Sequence, residues 1–382
     1  MTLASFVRKN VFRNKRRSVL TILSIGFSLL LLTLMMSIWR GFYIEQGSAE
    51  SAMRLATRHK VSLTFTMPSY YRQKIRAVPG VAAVVPLNWF GGRYKDDKSE
   101  NFFAQFGTDP EEFFTVYKEF QIPSDQVAAW QHDQAGAVVD SEIAKRYGWK
   151  VGQRVIIVGT IFPVDLELTI RGIFKAPSPT QSLYFNEKYV EEAVSYMKGQ
   201  HGFYSILANS PQDVGRIARD VDDMFHNSPQ PTKTETEKAF QLGFIAMLGN
   251  VKVFILSICA AVVFAILLVC ANTMAMSIRE RTREVALLKT LGFTRQTILN
   301  LFVGEAVTLA LVGGILGSLT ATLLGGLAAK AGGGGFADAL KVQPLTMLTA
   351  WLVAALVGFL SAFVPSYHAS RVDIVEGLRH IG

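Results

Sequence analysis

Apolar residues run unbroken along four stretches of this chain, while between them they alternate or recur every three to four positions. Val19 to Trp39 and Val253 to Met276 carry no charge. Ala306 to Ala329 is uncharged and follows Glu305, and Met347 to Val364 is shorter and ends at Pro365. A bilayer core about 30 Å thick takes roughly 20 apolar helical residues to cross, so the pattern predicts four membrane helices. The first is too long, and lacks the small-residue site, for a cleaved signal peptide. The chain then parses as follows: a basic segment and first span over 1–40, a large inserted domain over 41–249, and a second span with its preceding stalk over 250–276. A charged connector covers 277–297, a third span 298–330, a glycine-rich loop 331–343, a fourth span 344–367 and a tail 368–382.

Inside the large insertion the period changes. Val61 to Thr66 is β-prone, Ser69 to Val78 reads as a helix, and Val81 to Val85 is a β-branched run after Pro79-Gly80. Tyr204 to Ala208 and Thr232 to Thr236 read as strands. Between them Val214, Ile217, Ala218, Val221 and Phe225 recur at helical spacing after Ser210-Pro211. Two β-α-β units split by an insertion predict a ferredoxin-like α+β layer. The inserted part, about 102–198, reads as a second, β-rich lobe, with strands at Gln153 to Val158 and Leu166 to Phe174 and a short helix at Ser141 to Tyr147. The fold class is therefore an integral membrane protein of four helices with a two-lobed extracytoplasmic α+β domain between helices 1 and 2. The stalk pattern of Phe240, Phe244, Met247, Leu248 and Val251 predicts an unbroken helix from Glu235 to Ser277, about 63 Å at roughly 1.5 Å per residue.

Charge orients the spans. Of 382 residues 50% are hydrophobic and 18% charged, against about a quarter charged in soluble proteins. The net charge is +9, and the segments 1–18, 277–297 and 368–382 together hold 13 basic and 4 acidic residues, so the whole excess lies on one side. The positive-inside rule makes that side cytoplasmic and places both termini there. Cations flanking membrane spans are not the folded basic face that nucleic acid requires. Cys259 and Cys270 both fall in the second span, which leaves neither a disulfide framework nor a cysteine zinc site. His59, His132, His201 and His226 have no metal-ligand spacing, and no G-x-S-x-G elbow occurs. Trp89, Phe90, Phe102, Phe103, Phe113, Phe114 and Tyr117 either fill a core or line a surface for an apolar partner.

Two membrane features carry candidate roles. Glu305, at a span boundary, pairs with a connector cation or faces the interface, a proton-carrying role being the sharper alternative. Gly313, Gly314 and Gly317 form a small-residue ridge for close helix approach, within one subunit or between two. The connector itself reads as an amphipathic helix: Ile278, Val285, Leu288 and Leu291 lie near one face and Arg279, Glu280 and Arg283 on the other, with Gly292 placed for a left-handed cap.

The connector residues Arg279-Glu280-Arg281-Thr282-Arg283-Glu284 with Lys289-Thr290-Leu291-Gly292 resemble the E-R-T-R-E-I-x-x-x-K-A-L-G signature of MacB/LolC/FtsX-type ABC transporter permeases. Asn14 to Thr21, Gly304-Glu305-Ala306 with Gly313-Gly314, Gly107-Thr108-Asp109-Pro110, and Pro365 to Arg379 resemble further parts of that family, Ile374 and Gly377 standing where Pro and Ala are usual. The resemblance implies a non-catalytic permease subunit of the cytoplasmic (inner) membrane, with ATP and Mg held by a separate cytosolic ABC ATPase. It also implies a second permease, identical or paralogous, and a possible periplasmic adaptor or lipoprotein partner. No G-x-x-x-x-G-K-[ST] occurs in these residues, and no cofactor is expected on the chain. By the same resemblance Arg279, Glu280, Arg281, Arg283, Glu284 and Gly292 form the ATPase-coupling segment. ATPase closure would be transmitted to the external domain, driving efflux or extraction of a small molecule, lipid or lipoprotein. A membrane-anchored sensor or scaffold, or a regulator of a cell-wall hydrolase, is the alternative.

Overall fold

A computed structural model describes residues 15–44, 50–96, 101–177, 180–247, 249–330 and 340–371. Arg8, Lys9 and Arg13, the glycines at 332–335 and the tail motif from Asp373 to Arg379 lie outside the described residues. The chain divides into two units, one holding the long helices and the other the inserted domain over Glu45–Gly249.

Helix α1 (Lys15–Trp39) is followed by a π-helical turn, Arg40–Ile44, and then by the domain. Its strands are β1 (Arg54–His59), β2 (Met67–Pro68), β3 (Val81–Trp89), β4 (Ala104–Thr108), β5 (Gly136–Asp140), β6 (Arg154–Ile157), β7 (Leu166–Phe174), β8 (Ser182–Asn186), β9 (Gln200–His201), β10 (Phe203–Ala208) and β11 (Thr232–Thr236). Its helices are α2 (Tyr70–Arg76), α3 (Phe113–Val116), α4 (Ser124–Gln131), α5 (Ser141–Tyr147), α6 (Lys188–Ala193), α7 (Val214–Phe225) and α8 (Glu237–Met247). β11, β1, β10 and β3 pair antiparallel in that order, with α2 and α7 as crossovers. This is the split β-α-β arrangement read from the sequence.

The first strand differs from expectation. The first strand is Arg54–His59, not Val61 to Thr66, which is loop with Val61 and Phe65 exposed. Two arginines disguise the true strand, and ion pairs accommodate both: Arg54 with Glu119 and Glu237, Arg58 with Glu235. The inserted lobe is β-rich, and its strands continue the same sheet. β3 pairs with β4, and β8, β5, β7 and β6 extend the layer to nine strands. Tyr71, Ile75, Ile217, Val221 and Phe225 fill one core beneath α2 and α7. Phe90, Phe103, Trp149, Leu168 and Phe185 fill a second, in the lobe. Phe113, Tyr117, Phe120, Trp130, Phe174 and Tyr184 gather residues of both parts into a third. Most of the singled-out aromatics are thus core, whereas Trp89 and Phe102 are exposed.

After the domain come α9 (Val251–Glu280), α10 (Thr282–Thr290), α11 (Arg295–Lys330) and α12 (Pro344–Arg371). α1, α9, α11 and α12 are each long and apolar enough to cross a bilayer. They leave Leu20, Phe27, Phe254, Phe264, Leu323 and Leu352 exposed, as a lipid-facing surface does. The expected continuous helix from Glu235 to Ser277 is interrupted. α8 stops at Met247, Gly249 takes φ +102°, and the Asn250 side chain accepts from the Val253 N–H to cap α9. Conversely, α12 does not end at Pro365 but runs through it. In a membrane helix the carbonyl freed by proline is tolerated where neighbouring helices shield it.

The glycine ridge packs within the chain. A Cβ on Gly317 would collide with the Gly26 carbonyl oxygen of α1 and lie 2.9 Å from the Leu30 nitrogen, and one on Gly313 would lie 2.7 Å from Ile25 Cγ2. Gly314 faces Ala354 and Leu29, and Gly358 of α12 faces Ala310 and Val307. Trp351 Nε1 donates to the Ser318 hydroxyl at 3.0 Å across the α11–α12 contact. Close helix contact of this kind forgives no added atoms. Gly317→Leu is expected to destabilise the full chain by about 1–3 kcal/mol or block assembly. Gly326→Ala, where nothing lies within 4 Å, is expected to be neutral or stabilising by up to about 1 kcal/mol. Thermal unfolding in detergent compares the two.

Candidate functional site

The connector between α9 and α11 is built from the backbone outward. At Arg281 the chain leaves helical geometry, with φ −111° and ψ 12°, so α9 ends and α10 starts on a new axis. α10 closes at Gly292, whose φ of +92° is open to glycine and strained for other residues. The Gly292 N–H donates to the Lys289 carbonyl and the Phe293 N–H to that of Leu288, both at 3.0 Å, a Schellman closure. Thr294 Oγ1 then accepts from the Thr297 N–H to start α11. Only nine residues long, α10 is fixed at both ends.

Its inner face is packed. Ile278 and Val285 join Met274, Ile298, Phe302, Ala306 and Ala362 in one apolar cluster. Through that cluster runs a buried ion pair: Arg281 Nη1 donates to Glu305 Oε2 at 2.8 Å, with side chains 7% and 6% exposed. Glu305 therefore pairs with a connector cation. Arg281 points into the bundle, although the resemblance grouped it with the coupling residues. A neighbouring pair joins Arg17 of α1 to Glu280 at 2.5 Å, and the same guanidinium donates to the Ser277 hydroxyl at 2.9 Å.

The outer face carries Arg279, Glu280, Arg283 and Gly292 as exposed residues, with Glu284 half-buried. It also exposes Leu287, Leu291 and Phe293, so Leu291 lies away from the packed face expected of it. Those three apolar side chains were missed as surface candidates. For Leu287 and Leu291 the available signal was their being out of step with Ile278 and Val285 at helical spacing. Cations beside large exposed apolar groups make a surface suited to a protein groove.

Comparison with known proteins follows the same division. The FtsX-like permease C-terminal family model matches residues 254–374. The MacB-like periplasmic core domain model matches residues 18–224, more than half of the chain. The chain belongs to the MacB/FtsX-type ABC transporter permeases. An uncharacterized ABC transporter permease of Methanocaldococcus jannaschii is 25% identical over 409 aligned positions, covering 98% of this permease and 97% of that protein. The macrolide export ATP-binding/permease protein MacB of Bordetella avium is 36% identical over 107 residues, covering 28% of this permease and 16% of its own length. The periplasmic region of MacB from Actinobacillus actinomycetemcomitans aligns at 11% identity and a TM-score of 0.36, over 54% of this permease and 94% of that structure. The permease is thus a multi-pass membrane protein with a periplasmic-type domain between its first two membrane helices.

The ion pair supports a direct test. Removing one partner of a buried pair strands the other, at a cost of about 3–5 kcal/mol, whereas replacing both by apolar groups costs little. Glu305→Ala is expected to destabilise the permease by that amount and Arg281→Met/Glu305→Leu by about 1 kcal/mol or less, read by unfolding in detergent.

Proposed function

We propose that this permease is the non-catalytic membrane subunit of its transporter, and that the outer face of α10 docks into a groove of a cytosolic ABC ATPase on a separate chain. In this reading ATP and Mg are bound there, and both termini of the permease lie in the cytoplasm of the inner membrane. A second permease, identical or paralogous, completes the assembly. Closure of the ATPases pushes α10, and the motion reaches the periplasmic-type domain through the membrane helices. That domain then drives efflux or extraction of a small molecule, lipid or lipoprotein from the outer side of the membrane.

The observation that carries the proposal is the construction of α10. A short helix anchored by a buried ion pair and an apolar inner face cannot absorb a push by bending within itself, so force on Arg283 or Leu287 is delivered to α9 and α11. The charge asymmetry supports the side: 13 of 17 charged residues in the connector and terminal segments are basic. The near absence of ionisable groups in the spans supports motion rather than an ion path as the output.

Arg283→Glu combined with Leu287→Asp changes only exposed side chains. It is expected to lower capture of the ATPase by the detergent-solubilised permease about tenfold or more, with thermal unfolding of the permease unchanged. Undiminished capture by that variant would contradict docking through α10.

A further inference from the structure

Arg54, the first residue of β1, is buried, and its guanidinium is divided between carboxylates from two distant parts of the domain. Nη2 meets Glu119 Oε1 at 2.6 Å, in the segment after α3 of the inserted lobe. Nε donates to Glu237 Oε2 at 2.7 Å, at the first residue of α8. Nη1 reaches the Val116 carbonyl at 3.5 Å. The guanidinium carbon lies 4.6 Å from the centroid of the Tyr117 ring, and the Tyr117 hydroxyl donates to Ser205 Oγ at 3.2 Å. Near the same end of α8, Phe240 is buried against Phe203, and Thr236 Oγ1 accepts from the Ala239 N–H. One side chain thus joins the first strand, the lobe and the helix that leaves the domain.

The charges in this cluster do not balance. Two carboxylates share one guanidinium, and Glu119 Oε2 is buried without a hydrogen-bond partner. Burial raises the Glu237 carboxyl above its ordinary range; Arg54 opposes that and the Glu119 charge adds to it. The groups facing Glu237 are Arg54 from β1, Tyr117 and Glu119 from the lobe segment, Tyr184 from β8 and, on α8 itself, Gln241.

We propose that Arg54 is the positioning residue that holds the inserted lobe and the head of α8 in one register, with the surplus carboxylate making that hold tighter as protons are added. The proposal rests on the reading that motion reaches the periplasmic-type domain from the membrane helices. The sign follows from linkage. A carboxyl that ionises less readily when docked takes up its proton more readily there, so docking strengthens as pH falls and weakens as pH rises through the docked-state value. Loss of Arg54 leaves two buried carboxylates uncompensated and removes the ion pair that ties the head of α8 to β1.

Hydrogen exchange of the full chain in nanodiscs tests this, with peptides of α8 read against those of β3 and β10. Arg54→Met is expected to raise exchange in α8 about tenfold or more while β3 and β10 stay within about twofold, and Arg54→Lys to recover part of the protection. In the natural protein α8 protection, corrected for intrinsic rate, is expected to fall as pH rises out of the ordinary carboxylate range toward neutrality. Glu237→Gln removes the carboxyl that burial holds above its ordinary range and is expected to flatten that slope. Unchanged α8 exchange in Arg54→Met, loss shared equally by β3 and β10, or a pH slope that survives Glu237→Gln would each overturn the proposal. Capture of the ATPase through α10 is measured on the same preparations. Released α8 with intact capture supports the role of Arg54, and lost capture with protected α8 counts against Arg54 alone, so the two readings fail separately.

Discussion

Arg281 stands where α9 ends and α10 begins, and it is held there by Glu305 from inside the helix bundle. A charge in apolar surroundings is tolerated only with its partner, and the partner lies about three turns inside α11. That requirement fixes where the chain bends, which face of α10 packs inward and which side chains are left outside. Gly292 closes the other end by backbone geometry alone. The exposed row of Arg283, Leu287, Leu291 and Phe293 is the consequence of these two constraints rather than a separate feature.

The inserted domain is organised on the same principle of charge held by geometry. Nine strands form one layer, so the lobe is continuous with the ferredoxin-like part through β3 and β4. Arg54 ties that layer to α8. α8 ends at Met247 and α9 begins at Val251, so the stretch read as one rod is two shorter helices. Gly249 has open space for a Cβ, yet its positive φ requires glycine.

Much of this was legible in advance for physical reasons. Apolar runs of bilayer length have one outcome, which is why the four spans could be read directly. β7, β11 and α5 coincide with the stretches read from alternation and capping, because one face of each is buried and the other is not. What stayed hidden depended on partners far away in the chain. β1 carries two arginines whose carboxylates lie tens to hundreds of residues downstream, so propensity favoured the neighbouring Val61 to Thr66. The inward turn of Arg281 depends on Glu305, which lies 24 residues further along the chain. Pro365 is ordinarily a stop, and only packing against other membrane helices lets α12 continue.

Docking through α10 requires that this helix lie on the cytoplasmic side of the membrane and be covered there by the ATPase. A single cysteine at Leu287→Cys, with Cys259 and Cys270 replaced by alanine, reports both through labelling by a membrane-impermeant thiol reagent. The account predicts no labelling in intact cells, labelling in inside-out vesicles stripped of peripheral proteins, and protection when the ATPase is restored. Labelling of intact cells from outside, or labelling in stripped vesicles that the restored ATPase leaves unchanged, would contradict it.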